Sequence, residues 1–392
     1  MKSYVITITE VDDPQIALEE MKAQMAKIEL LKHSLGIVSA SSDCIDSGVY
    51  AAVANALGIP LAGMSTFSQS ANGKAGMFLL SILILSSDTC EFACGYSAPV
   101  TGSADVSALM RECYADVKGR LMGDAKLALL YPPFPVDSLT GPATHCLRAL
   151  SAENAELPIF GSIACCEVEN LPEAKVLFGA DASNERCALV LISGDISPEF
   201  YVGAVADEAT VISVVGVVTK ASDNRVIEIN GVKAKQFFEQ MDYFVGKDIN
   251  ETASSSILIA ETKDENGKIL SSLAQGILLV TDEYAVLDNF IEPGTVLSLA
   301  ALTKETVIAT TSRATAWING HECGKTALIY SCLRRWFAAA DENLKEFDII
   351  DKSLSGINYQ VSYSGGEICP TSPEGEKMLN AKHSSSIAVC VF

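Results

Sequence analysis

The chain has 392 residues, a formal net charge of −21, 49% hydrophobic residues and 20% charged residues. That is the composition of a folded chain of two or three domains, and it excludes disorder. The acidic balance gives no pull toward phosphate backbones or anionic lipid, so nucleic acid and membrane are not expected partners.

The first residues, MKSYVITITEVDD, lack the basic start and apolar core of a secretory signal. The most apolar stretch, Ala75 to Leu85, is shorter than the roughly 20 residues that cross a bilayer. Twelve cysteines are scattered along the chain. They read as small buried thiols kept reduced in a cytoplasmic protein. Cys90-x₃-Cys94, Cys165-Cys166 and His321-x-Cys323 have no second pair at finger-like spacing, so no metal site is expected.

In chain order, Tyr4 to Ile8 is a short β-rich run, and Asp13-Pro14 caps a helix with Leu18, Met21, Met25 and Ile28 on one face. Leu35 to Ala40 is an apolar strand. A helix from about Ser47 carries Val49, Val53 and Leu57 and stops at Gly58. Ile59 to Ala62 is a second strand, ending at Gly63-Met64-Ser65-Thr66. The same grammar returns with a strand at Lys126–Tyr131, a helix at Ser138–Ala152 and a strand at Leu157–Ser162. Pro158 and Gly161 repeat Pro60 and Gly63 at one common offset. Each copy is followed by an expected β-pair, 76–86 with 91–97 and 188–193 with 200–205. The reading is a duplicated strand–helix–strand–hairpin unit over roughly 30–120 and 121–210.

A different region follows. Val211–Val218 and Val226–Ile229 flank the turn Ser222-Asp223-Asn224, and Asn230-Gly231 is the strongest turn dipeptide in the chain. Lys304 to Asn319 reads as a helix with Val307, Thr311, Ala314 and Ile318 on one side. The unit then appears a third time: a strand at Ala327–Tyr330, a polar-basic loop at Ser331–Trp336, a helix at Glu342–Ser355 and a strand at Ile357–Tyr363. The fold class expected is α/β: two lobes, 1–218 and 219–392, with mixed β-sheets flanked by helices.

Four stretches in order carry a family resemblance. They are Ile59-Pro60-Leu61-Ala62-Gly63-Met64-Ser65-Thr66, then Val218-Thr219 with Arg225 to Gly231 and Ala234, then Ile329 to Arg335, then Tyr363-Ser364-Gly365-Gly366-Glu367-Ile368 with Asn380. On these the chain resembles a stand-alone bacterial FIST-domain protein with both N-terminal and C-terminal regions. The resemblance implies a cytoplasmic sensory protein of bacterial signal transduction that binds a small polar metabolite or amino acid. It also implies, as an alternative, a haem-binding nitric-oxide sensor; no cofactor is otherwise expected. No kinase, cyclase or methyl-accepting output segment is recognisable, so the state would pass to a separate signalling protein such as a kinase.

Ser65, Thr66 and Gly366 lie beyond strand ends, where α/β proteins place ligands. Tight turns explain the same glycines. Arg334 and Arg335 could fork onto a ligand carboxylate, or form ordinary ion pairs. Glu367 could accept a ligand ammonium, and Asn380 and Cys332 complete the expected ligand-binding set. Cys332 is an inert buried thiol or, in a third reading, the nucleophile of a thiol-dependent hydrolase or transferase with His383 or His321 as base. The leading expectation is non-catalytic binding. Gly320 to Thr326 ends in Gly-Lys-Thr but follows a helix, so it is not a phosphate loop.

Overall fold

The run Leu35–Ala40 has no polar face, which suits a strand covered on both sides. In the computed structural model it is the core of a strand with a parallel partner. The structure describes residues 1–101, 104–135, 141–205, 211–240, 256–321, 326–339, 342, 344–372 and 377–392, with backbone alone for 211–215. Cys323 lies outside them.

The first unit contains β1 (Lys2–Ile8), α1 (Pro14–Met25), β2 (His33–Ala40), α2 (Ser42–Asp46), α3 (Val49–Leu57), β3 (Leu61–Ser65), β4 (Gln69–Ala71), β5 (Lys74–Gly76), β6 (Leu80–Ser87) and β7 (Glu91–Tyr96). The second has α4 (Val106–Lys118), β8 (Ala125–Tyr131), α5 (Pro142–Glu153), β9 (Ile159–Ser162), β10 (Val176–Phe178), β11 (Asp181–Ser183), β12 (Ala188–Ser193) and β13 (Glu199–Gly203). Next come β14 (Val211–Ser222), β15 (Arg225–Ile229), β16 (Val232–Lys233), α6 (Ala234–Glu239), β17 (Ser256–Lys263), β18 (Ile269–Gln275), β19 (Ile277–Val280), β20 (Ala285–Leu287) and β21 (Val296–Ala301). The chain finishes with α7 (Lys304–Asn319), β22 (Thr326–Cys332), α8 (Leu333–Ala338), α9 (Lys345–Ser353), β23 (Asn358–Ser364), β24 (Glu367–Thr371), β25 (Leu379–His383) and β26 (Ile387–Val391).

Local chemistry explains the helices. Asp13 accepts hydrogen bonds from Gln15 and Ile16 at the start of α1. In α3, Val49, Val53 and Leu57 are buried on one side, and Gly58 caps it at φ 71°. In α7, Val307, Thr311, Ala314 and Ile318 face inward as their spacing requires.

Three six-stranded sheets share one order: β1-β6-β2-β3-β10-β11, β7-β12-β8-β9-β24-β25 and β13-β26-β22-β23-β4-β5. The middle pairs β2–β3, β8–β9 and β22–β23 are the parallel crossovers. Each sheet ends on a hairpin lent by another unit, so β4 pairs with β23, β10 with β3 and β24 with β9. The sheets therefore close a ring. Leu35, Ile37, Leu127, Leu129, Leu328 and Tyr330, two from each sheet, are buried in one apolar core.

The β-pairs expected at 76–86 with 91–97 and at 188–193 with 200–205 do not form. A strand has two edges, and β6 uses both on β1 and β2 while β12 uses both on β7 and β8. The following strand must leave: β7 joins β12, and β13 joins β26. The boundary expected at 218/219 falls inside β14. Strands β14 to β21 form a fourth sheet, paired antiparallel throughout, with its own core around Phe238, Val226 and Leu299. The polar-basic loop expected at Ser331–Trp336 is the end of β22 and the start of α8, because Leu333, Arg335 and Trp336 are all buried. Among the described residues no helix is long and apolar enough to cross a membrane.

Candidate functional site

The second parallel strand of each sheet, β3, β9 and β23, ends at one junction. Ser65 ends β3; its Oγ donates to the Cys165 carbonyl at 2.8 Å and accepts from the Lys175 N–H at 2.8 Å. Thr66 Oγ1 donates to the carbonyls of Tyr363 and Ser68 at 2.7 and 3.0 Å. Gly365 N–H donates to Ile163 O, and Ile163 N–H to Gly366 O, both at 3.0 Å. Gly366 sits at φ 148°, and a Cβ there would stand 3.0 Å from the Lys382 chain. Backbone and hydroxyls lock the three strand ends together.

Glu367 follows directly and is fully buried. The pairings of β24 set it opposite Ser162 on β9 and His383 on β25. Ser364 and Ser386 each donate a hydroxyl to one of its oxygens at 2.6 Å. Burial outweighs those donors and raises its pKa to about 7. Cys332, at the end of β22, is pushed up to about 12 by burial and by Glu367, although the charge of Arg334 works against the shift. Burial lowers His383 to about 4, so its ring is neutral and Nε2 donates to Cys369 O at 3.2 Å.

Beside this lies a charged cluster. Lys382 Nζ meets Asp288 Oδ1 at 2.9 Å, and the Ser384 hydroxyl and Gly276 N–H donate to Asp288 Oδ2. Burial alone would raise the Asp288 carboxyl; Lys382 and Arg334 outweigh it and hold it below its usual range. Arg334 Nη2 donates to Ile277 O at 3.2 Å.

Arg335 faces elsewhere. It is 0% exposed and paired with Glu346 at 2.7 Å, with Thr310, Thr311, Ser331 and the Val307 carbonyl taking its remaining donors. Asn380 bridges β25 to the start of β9, donating to Leu157 O at 2.9 Å and accepting from Ile159 N–H at 2.8 Å. The structure thus gathers Cys332, Arg334, Gly366 and Glu367, places Ser65 and Thr66 at the adjoining strand end, and leaves Arg335 and Asn380 as ties between elements. Sequence reasoning did not include Asp288, Lys382 or Ser384 to Ser386. The polar run Lys382-His383-Ser384-Ser385-Ser386 just before an apolar strand was the available signal.

A cleft of about 680 Å³ opens over the carboxyl ends of β8 and β9. Phe134 follows β8, His145 is in the first turns of α5, Asp105 caps α4, and Glu173 and Glu185 come from the segments after β9 and β11. Phe134 is also the nearest side chain to Gly365, 2.9 Å from where a Cβ would stand, so the cleft adjoins the strand-end junction. Phe290, two residues after Asp288, packs edge-on against His145 at 5.3 Å and under Arg148 at 3.7 Å.

Residues 34–232 match the FIST N domain, from β2 through β16. No curated protein matches the chain. A solved structure, a cyanuric acid hydrolase from A. caulinodans, resembles it over 99% of this chain and 98% of that one, at 11% identity and a TM-score of 0.37. That likeness is too slight to bear on fold or activity. With half its length matched, the chain belongs to the FIST family, whose domain is a sensory domain of signal transduction.

Proposed function

We propose that the chain is a non-catalytic, small-molecule-binding sensory protein whose ligand, a small polar metabolite or amino acid, sits in the cleft over β8 and β9. The observation that carries this reading is the cleft itself. Its volume is within the roughly 300–1,000 Å³ usual for ligand pockets, and it lies outside the carboxyl ends of a parallel pair. Its walls combine apolar Val100, Pro133 and Phe134 with the imidazole of His145 and carboxylates that can orient a polar guest. The protonated, buried thiol of Cys332 supports binding over nucleophilic chemistry. All the described cysteines are free and buried, which supports a reducing, cytoplasmic setting. A separate signalling protein such as a kinase would read the bound state.

The test is calorimetric titration of the purified protein with amino acids, small polar metabolites and hemin. One ligand class binds, and His145→Ala weakens it about tenfold, a loss of about 1.4 kcal/mol. No binding across the panel, or unchanged affinity in that variant, overturns the site. A Soret band that survives desalting and disappears with His145→Ala replaces this reading with the haem alternative, since His145 is the histidine lining the cleft.

A further inference from the structure

The seam between the fourth sheet and the three-sheet core carries two buried polar atoms without a partner among the described residues: Arg334 Nη1 and Ser385 Oγ. Buried donors are nearly always satisfied, so two together call for a missing group. They sit on segments that meet twice. The Cys332 N–H donates to the Ser386 carbonyl at 3.0 Å, and Arg334 and Ser384 both flank Asp288.

Charge makes the same demand. Two cations, Lys382 and Arg334, face the single carboxylate of Asp288. The neighbouring Arg335 is neutralised by Glu346, and both oxygens of Glu367 are occupied by serine hydroxyls. A buried cation without its counter-charge is costly, and an anion at Arg334 removes that cost. Gly276 lets these two groups approach the backbone: a Cβ there would stand 2.6 Å from Arg334 Nη1 and 2.6 Å from Asp288 Oδ2. Ser385 is held at φ 59°, a conformation rare for serine. Arg334 is partly exposed as a residue, while its Nη1 is buried.

We propose that Arg334 Nη1 and Ser385 Oγ receive one small oxyanion of the carboxylate class, which completes the charge balance at this seam. This site is distinct from the cleft, and it is linked to it: the segment Asp288-Asn289-Phe290 joins the cluster to His145, with Asn289 Nδ2 also donating to Lys382 O at 2.9 Å. A bound anion therefore fixes the segment that packs against the cleft wall.

The experiment titrates the full chain, in low-salt zwitterionic buffer, with sodium acetate and separately with acetamide, the neutral isostere. Thermal unfolding and calorimetry are the readouts. Saturable binding of acetate that raises Tm, no response to acetamide, and at least tenfold weaker acetate binding in Arg334→Gln and in Ser385→Ala support the site. The exposed Arg313→Gln is the control and keeps wild-type affinity. An absent acetate response, an equal response to acetamide, or equal affinity in all three variants overturns it. Should Arg334→Gln fail to fold, the acetate-against-acetamide comparison and Ser385→Ala still decide.

Discussion

Replacing Arg335 with methionine tests whether this arginine holds the fold or a ligand. Arg335 and Glu346 are both 0% exposed and 2.7 Å apart. In Arg335→Met, Glu346 keeps hydroxyl donors from Ser331, Thr311 and Tyr363 but loses its counter-charge. Breaking one side of a buried pair costs about 3–5 kcal/mol, a large share of the about 5–15 kcal/mol that holds a typical domain. Changing both residues, Arg335→Met with Glu346→Leu, removes the stranded charge and costs less than the single change. The sign with pH follows. Burial alone would raise Glu346, and Arg335 outweighs it and holds it below its usual range, so its stabilisation is present above the unfolded value and is lost as pH falls through the folded one. In Arg335→Met that dependence reverses, because a stranded carboxyl gains stability on protonation. Urea unfolding followed by circular dichroism, with the slope checked for two-state behaviour, measures each variant. A single-variant loss below about 1 kcal/mol, or a double variant less stable than the single one, refutes the reasoning.

Glu367→Gln removes an acid whose folded pKa is about 7 against an ordinary 4.5. A raised carboxyl loses stability as pH climbs from the unfolded to the folded value, by roughly 3 kcal/mol here. The variant is therefore flatter than wild type between about pH 4.5 and 7, and parallel urea-melt profiles would refute the assignment. Gly161→Ala sets a Cβ 2.0 Å from Leu130 O at the parallel β8–β9 pair. Backbone must move there, so a loss above about 3 kcal/mol or no soluble protein is expected, and a near-native Tm contradicts it.

The strand–helix–strand grammar was legible because short-range chemistry writes it. Val49, Val53 and Leu57 needed only helical spacing, Asp13 only a cap position, and Asn230-Gly231, at φ 52° and 77°, only a tight turn. None of the eight residues expected to bind a ligand lines the proposed cleft; Glu367 and Arg334, near strand ends that the pattern marks, lie instead in one cluster with Cys332 and Gly366. Their partners were not legible. Asp288 is far from Arg334 and Lys382 in sequence, and no local pattern announces a pairing between the fourth sheet and β25.

What the sequence determined alone is the α/β class, the strand–helix–strand crossovers and the inward faces of α3 and α7, since these rest on periodicity and capping within a few residues. What only the tertiary structure decided is the exchange of strands around the ring and the fate of each polar side chain. Gln69 pairs opposite Ser362, and Glu367 opposite Ser162, because the edges nearer in sequence are already taken. Burial depends on those long-range pairings: they place Arg335 against Glu346 and leave Arg334 with a nitrogen that has no partner among the described residues, although the two arginines are adjacent in the chain.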